Sequence, residues 1–399
     1  MSVLSRVKKF NAGRNRSLLK LKFDRMSLSP FTFFRGTNHL FLDAWHKLSP
    51  PDPGPSILIC GDLHVENFGA FRTESGNWCF GINDFDDASI APCGLDVVRC
   101  ASSIFLAAMD WKLTPIAAAN LVLVFLDEYR SAIAQSQGST PSGQIQAGSG
   151  RDLISRALGS SKVANRKRMI EMLTNQSRSK IRRDPLKRPS LSKRCQAAIK
   201  GEVEIYSKPK GFHVLDVTGR IAGIGSLGND RFVSLIVSQL KHDERMLDIK
   251  LAVKSPLSIF CNADQPDFFN TEAERVVVAQ RQLQGENAVG LDFTTFQARS
   301  FRVREMVPDE DRCQIDRYRK KVDKLERALK IIGRVVAWSH LRGAEFSSLK
   351  KRHDLENWTS GANLDAVLKS SVRYAHQTTE DFQSFKKSYR PKSKVDPIA

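Results

Sequence analysis

The chain has 399 residues, 41% of them apolar, and a formal net charge of +19 at pH 7. That length leads us to expect two or three domains with sizeable cores, and the best apolar run, residues 117–126, is too short to cross a bilayer. The basic N-terminus lacks the apolar stretch of a secretory signal, and seven cysteines without CxxC spacing indicate neither a disulfide framework nor a zinc site, so a cytoplasmic location is expected.

Residues 37–48 carry apolar side chains at helical spacing and are followed by Pro50, Pro51, Pro53 and Pro55, which end the helix. Two β-prone runs, residues 57–59 and 78–82, enclose the polar loop GDLHVENFG. Residues 96–111 and 115–134 read as two further helices, the second with proline at its start. Residues 135–150 are polar and of low complexity, the composition of a mobile loop. Residues 161–200 then hold 13 Lys and Arg against Glu171 and Asp184, a patch suited either to plain solvation or to an anionic partner such as nucleic acid or lipid head groups. Aromatic residues for base stacking are absent from it.

From residue 201 the texture becomes β-prone: GEVEIYS, FHVLDVTGRIAGI, RFVSLIVSQL and LDIKLAVKS are expected strands. Residues 271–284 read as a helix, 294–307 as two strands, and 317–342 as a long helix. The tail beyond about residue 380 is basic and expected to be disordered. These elements divide the chain into a helical part with a polar loop (1–150), a basic linking segment (151–200), a β-rich lobe (201–312) and a C-terminal helical segment (313–399).

The chemistry concentrates in residues 59–96. Asp62 and Asn67 share the loop between the first two strand runs, and Asp84 ends the second. Two carboxylates and an amide on strand ends suit a hard cation and a hydroxyl to be deprotonated, the requirement of phosphoryl transfer. Asp86 and Asp87 read equally as turn acids. Downstream, Gly223, Gly225 and Gly228 form a GxGxxG, with Ser226 inside it, and the following run is strand-like. A dinucleotide loop would lead into a helix, whereas a kinase glycine loop joins two strands. One strand later the LAVK segment resembles the V-A-I-K element of kinases. Lys254 is therefore the candidate phosphate contact, with Lys250 the runner-up. Glu274 or Glu272, in the next helix, would clamp that lysine, or simply favour the helix N-terminus. Arg302 or Arg304 would serve near the hinge, and Arg35 would line the site or anchor the N-terminal segment.

GDLHVEN followed by NDFDDA resembles the HGDxHxxN…IDxxxA pair of aminoglycoside phosphotransferases and choline-kinase-like enzymes, with Cys60 where those enzymes carry histidine. The resemblance implies Asp62 as catalytic aspartate, His64 as the second histidine of the loop, Asn67 and Asp84 as magnesium ligands, and Asp96 as the aspartate opening the next helix. More closely, SPFTFFRG, CGDLHVENFG, INDFDDA and AGIGSLG resemble a bacterial domain-of-unknown-function family, number 2252, over roughly residues 25–345. It implies an α+β, protein-kinase-like bilobal fold and little about substrate.

Here the catalytic loop and metal aspartate precede the glycine loop and lysine, the reverse of a kinase. A circular permutation would account for that order, with either residues 317–342 or 37–48 in the place of the helix before the catalytic loop. The expected function is ATP- and Mg2+-dependent phosphoryl transfer to an unidentified hydroxyl. The alternatives are nucleotidyl transfer on the same fold, a non-catalytic scaffold binding an anionic partner through 161–200, and metal-dependent hydrolysis by Asp62, His64, Asp84 and Asp86.

Overall fold

A computed structural model describes residues 1–136, 145–146, 162–240, 243–261, 269–308, 313–361 and 363–391. Four helices open the chain: α1 (Val3–Phe10), α2 (Arg16–Met26), α3 (Pro30–Gly36) and α4 (Asn38–Leu48). α3 starts as its sequence dictates, with proline in the first turn and a capping box between Ser29 and Thr32. Four short strands follow. β1 (Ser56–Ile59) pairs antiparallel with β4 (Ser89–Pro92), and β2 (Phe68–Arg72) with β3 (Trp78–Ile82), which also pairs with the two-residue β5 (Ile145–Gln146). Ile57, Leu58 and Ile59 are all fully buried. They lie among α5 (Gly94–Asp110), α6 (Pro115–Ala134) and the long α11 (Val322–Ser347), which share one hydrophobic core. α11 sits so close to β1 that a Cβ on Gly343 would lie 2.1 Å from the Leu58 carbonyl oxygen. Of the two helices expected to compete for one place before the polar loop, 317–342 and 37–48, it is the later one that packs against β1, the strand leading into that loop.

A second assembly begins with α7 (Lys162–Leu173) and α8 (Lys193–Ser207). Five antiparallel strands follow: β6 (Phe212–Gly219), β7 (Arg231–Ser238), β8 (Glu244–Leu251), β9 (Asp292–Phe296) and β10 (Arg299–Glu305), in the order β6-β7-β8-β10-β9. The short α9 (Pro256–Phe260) and α10 (Glu272–Gln284) are inserted between β8 and β9. The two faces of this sheet differ. On one, Phe232, Ile236 and Phe301 pack with Ile199 and Val203 of α8. On the other, Val233, Leu235 and Met246 are covered by Met169 and Ile170 of α7 together with Ile181. Register places Arg231 opposite Lys250, Val233 opposite Asp248, and Arg302 and Arg304 opposite Lys250 and Asp248. Directly paired residues share a face, so the uncovered part of the second face is charged. The chain closes with α12 (Leu349–Ser360) and α13 (Asn363–Ser388).

Several expectations are corrected. GEVEIYS is the C-terminal half of α8, because Ile199, Val203 and Ser207 recur every four residues on a buried stripe. The basic segment, where described, is knitted to the sheet: Arg166 pairs with Glu305 at 2.6 Å, Arg183 with Asp216 at 2.8 Å and Arg178 with Glu244 at 3.3 Å. The tail is helical through Ser388, since Phe382 and Phe385 fit against Phe23 and Phe33. Strand β8 stops at Leu251, so Lys254 lies beyond it. The mobile-loop expectation for 135–150 falls largely outside the described residues. No helix among the described residues is long and apolar enough to cross a membrane.

Candidate functional site

The loop at residues 60–67 is fixed before any ligand arrives. Gly61 sits at φ +84°, and a Cβ there would lie 2.2 Å from the Asp87 carbonyl oxygen, so only glycine fits. The amides of Cys60 and Gly61 both donate to the Asp96 carboxylate at 2.9 Å, from the first turn of α5. His340 of α11 has its Nδ1 2.8 Å from the Tyr129 hydroxyl and its Nε2 3.5 Å from the Asp96 carboxylate. Asn67 donates its Nδ2 to the Asp62 carbonyl at 2.7 Å, and its amide N–H donates to the His64 carbonyl at 2.8 Å. The Asn83 amide then donates to the Asn67 carbonyl at 2.8 Å, which ties Asp84 to the same loop.

Asp62 is oriented by Arg99, whose Nε donates to Oδ1 at 2.5 Å. Arg99 is wholly buried, and its guanidinium lies 4.1 Å from the Phe34 ring centroid and 5.1 Å from that of Phe41. Desolvation pushes the Asp62 carboxyl up to about 7 against the pull of Arg99, with Asp87 and Asp84 adding to the rise. Asp84 behaves oppositely. Burial alone would raise it, but Lys250, Arg302, Arg304 and Arg231 together hold it below the ordinary carboxylate range. Asp86 forms an ion pair with Lys250, and Asp87 accepts from Asn38 at 2.8 Å. Arg275 of α10 donates to the carbonyls of Asp86 (2.8 Å) and Ala88 (2.6 Å), joining the sheet half to this segment.

Opposite lies the glycine loop, joining β6 and β7. Gly223 and Gly228 have φ of +75° and +96°, conformations that the turn needs and other residues resist. The N-terminal helices hold this loop from behind: Arg14 and Lys22 donate to the Gly225 carbonyl at 2.8 and 2.9 Å, and the Asn15 amide to the Gly228 carbonyl at 3.1 Å. Beside it, the buried Asp248 accepts ion pairs from Arg231 at 2.6 Å, Arg220 at 3.0 Å and Arg302 at 3.1 Å.

These parts enclose one cleft of about 760 Å³. Asp62, His64, Asn67 and Asp84 line it from one half. Gly223, Gly225, Ser226, Gly228 and Lys254 line it from the other. His64 is buried and its imidazole lies well below its ordinary pKa, through desolvation and then the Arg35 and Arg99 charges. It is neutral, and its Nδ1 accepts from the Glu66 amide at 3.3 Å. Arg35 both lines the cleft and forms an ion pair with Glu66. Glu274 is not brought to either lysine. It accepts from the Asn270 amide at 2.7 Å, and Glu272 pairs with Arg275. Lys254 is exposed at the cleft edge, while Lys250 is on the third strand of the sheet and faces the acids. Among the described residues no cluster of three or more His, Cys, Asp or Glu is placed to hold a metal ion.

Arg99 and Asp248 escaped the sequence reading although a signal existed. Arg99 is a lone charge within VVRCASSIFLAA, and Asp248 is the one acid, two residues before Lys250, within MLDIKLAV; a charge so placed is buried and paired or it is functional. Arg220 and Arg231 gave no such signal.

The fold and site define a mixed α+β protein whose two halves meet at a charged cleft, acidic on one side and rich in arginine on the other. The chain belongs to the family described as uncharacterized protein conserved in bacteria (DUF2252), whose model matches residues 14–388. No curated protein and no solved structure gives a significant match.

Proposed function

We propose that the protein is an ATP- and magnesium-dependent phosphotransferase with a kinase-like bilobal arrangement encoded in permuted order. The observation that carries this reading is the shared cleft: the Asp62–Asn67–Asp84 group and the glycine loop line the same cavity although about 140 residues or more separate them in sequence. The sheet supports it further. The glycine loop joins the first two strands, Lys250 lies on the third, and α10 follows, the arrangement of the nucleotide lobe in protein kinases. In this chain that lobe follows the catalytic half.

Asp62 is the base that orients and deprotonates the acceptor hydroxyl. Its carboxyl near 7 suits that role, and Arg99 keeps it in one orientation. Asn67 and Asp84 would hold magnesium. With Nδ2 engaged by the Asp62 carbonyl, Asn67 has its Oδ1 left as a hard donor, and Asp84 stays ionised. Two protein ligands suffice, because magnesium takes its remaining ligands from phosphates and water. When bound, the ion supplies charge neutralisation on the phosphate oxygens. Lys250, Lys254 and the glycine loop hold the triphosphate, and His64 braces the loop as a neutral ring.

The test is a screen for γ-phosphate transfer from ATP to pooled metabolites, with Asp62→Ala as control. The expected result is transfer by the wild-type chain only, with Mg-ATP still raising the melting temperature of both. Absence of any Mg-nucleotide shift and of any transfer in the wild type would overturn the reading.

A further inference from the structure

The wall of the cleft formed by β7, β8 and β10 carries more cations than nearby acids can neutralise. Arg220, Arg231, Arg302 and Arg304 all surround Asp248, at 3.0, 2.6, 3.1 and 3.6 Å. All four line the cleft. Asp248 has too few acceptor sites for all their donors, and the carbonyls of Ala222 and Asn83 take one each from Arg231 and Arg304, at 3.2 and 3.0 Å. Arg302 is 4% exposed, and its Nε has no hydrogen-bond partner; the buried Nε of Arg304 has none either. Burial, then the neighbouring charge of Arg302, draws the Arg304 guanidinium down to about 9. Asp84, which Lys250, Arg302, Arg304 and Arg231 hold in its ionised form, and Asp86, paired with Lys250, offset part of this charge, but three carboxylates against four arginines and a lysine leave the wall cationic, and crowding like charges is costly.

We propose that the arginine cluster around Asp248 is an oxyanion subsite that binds a phosphate group of the cleft's ligand directly, without a metal ion. Planar guanidinium forks match phosphate oxygens in bidentate geometry, and Asp248 keeps the four arginines in register while leaving the wall cationic. The ligand class is thus a polyphosphate-bearing molecule recognised through its phosphates more than through a base. This goes beyond phosphoryl transfer and holds whether or not Asp62 is a catalytic base.

The probe is inorganic tripolyphosphate, titrated calorimetrically against the full chain in EDTA, with ATP and adenosine as parallel arms. Saturable binding of tripolyphosphate and ATP is expected, and none of adenosine. Arg304→Gln, which removes the arginine held farthest from Asp248, should weaken tripolyphosphate binding about 10-fold or more, and Arg302→Gln likewise. Should Arg302→Gln fail to fold, Arg304→Gln carries the test, its melting temperature without ligand serving as the folding control. Lys193→Gln and Arg194→Gln, exposed on α8, should bind as the wild type does. Asp84→Asn should retain metal-free binding even where Mg-ATP transfer is lost, which separates this proposal from the phosphotransferase reading. The proposal is overturned by no tripolyphosphate binding to the folded wild type, by unchanged binding in Arg304→Gln, by equal loss in the α8 variants, or by binding of adenosine alone.

Discussion

In the acidic half of the cleft, three carboxylates have donors of their own within that half. Asp62 has Arg99, Asp87 has Asn38, and Asp96 takes two backbone amides of the loop. In the arginine-rich half the relation is inverted: one carboxylate, Asp248, serves four guanidinium groups. In the first arrangement these carboxylates each have donors of their own without a ligand, as positioning chemistry requires, although the buried Nη1 of Arg99 has no hydrogen-bond partner. The second is left with buried donors unsatisfied, as a binding surface is before its anion arrives. Breaking the acidic half should therefore change rate, and breaking the arginine wall should change affinity.

The largest effect expected is on rate. Asp62→Ala should lower transfer by about 10²–10⁴-fold with little change in nucleotide binding, and Asp84→Ala should abolish metal-dependent nucleotide binding; steady-state kinetics with calorimetry separates the two. If Asp62→Ala instead lost affinity at unchanged rate, the contrast between the halves would collapse. Next comes the scaffold. Asp96→Ala leaves the buried amides of Cys60 and Gly61 without an acceptor, a cost of about 2–6 kcal/mol in denaturant unfolding. Smaller again is the distinction between the lysines. Lys250→Met should weaken Mg-ATP binding more than Lys254→Met, because Lys250 faces the acids on the strand while Lys254 is exposed beyond it. Equal effects would return Lys254 to the role that the LAVK segment suggested.

The same contrast explains what could be read in the sequence. Asp62 and Asn67 fall in one loop between strands, Asp84 just after β3 and Asp96 in the first turn of α5, so local strand–loop–strand punctuation was enough to locate them. The glycine loop was legible for the same reason, since its strand-like continuation selected a β-hairpin over a strand–helix turn. The arginine wall was legible only in part: Arg302 and Arg304 stood out near the hinge, but they meet Arg231 through the register of β7, β8 and β10, and Arg220 joins them from just beyond β6. Register depends on pairing between distant segments. GEVEIYS was misread because its β-branched and aromatic residues were weighed as propensity, while the stripe of Ile199 and Val203 begins before it and belongs to α8. Lys254 was misplaced by one short step: the apolar run continues past Leu251, but the pairing does not. Glu274 was chosen by position in the helix, yet Asn270 is nearer to it than either lysine's partner role would allow.

The finest test of the comparison is pH, because only the acidic half titrates near neutrality. Asp62 is raised to about 7 by desolvation, with Arg99 opposing and Asp87 and Asp84 reinforcing the rise, from an ordinary value of 3.8. As a base it must be ionised, so kcat/KM should fall about tenfold per pH unit below 7, on a limb that Asp62→Asn lacks. Stability carries the same signature with a defined sign. A carboxyl whose folded pKa lies above its unfolded one favours the folded state when protonated, so its contribution is lost as pH rises from about 4 through 7. Asp62→Asn removes that term. Its stability relative to wild type should therefore climb across this window, by at most about 1.4 kcal/mol per pH unit, and level off above it. Denaturant unfolding at pH 5, 6, 7 and 8 measures the slope. A difference independent of pH would mean that Asp62 titrates as an ordinary surface acid, and the Arg99 pairing would then be orientation without desolvation.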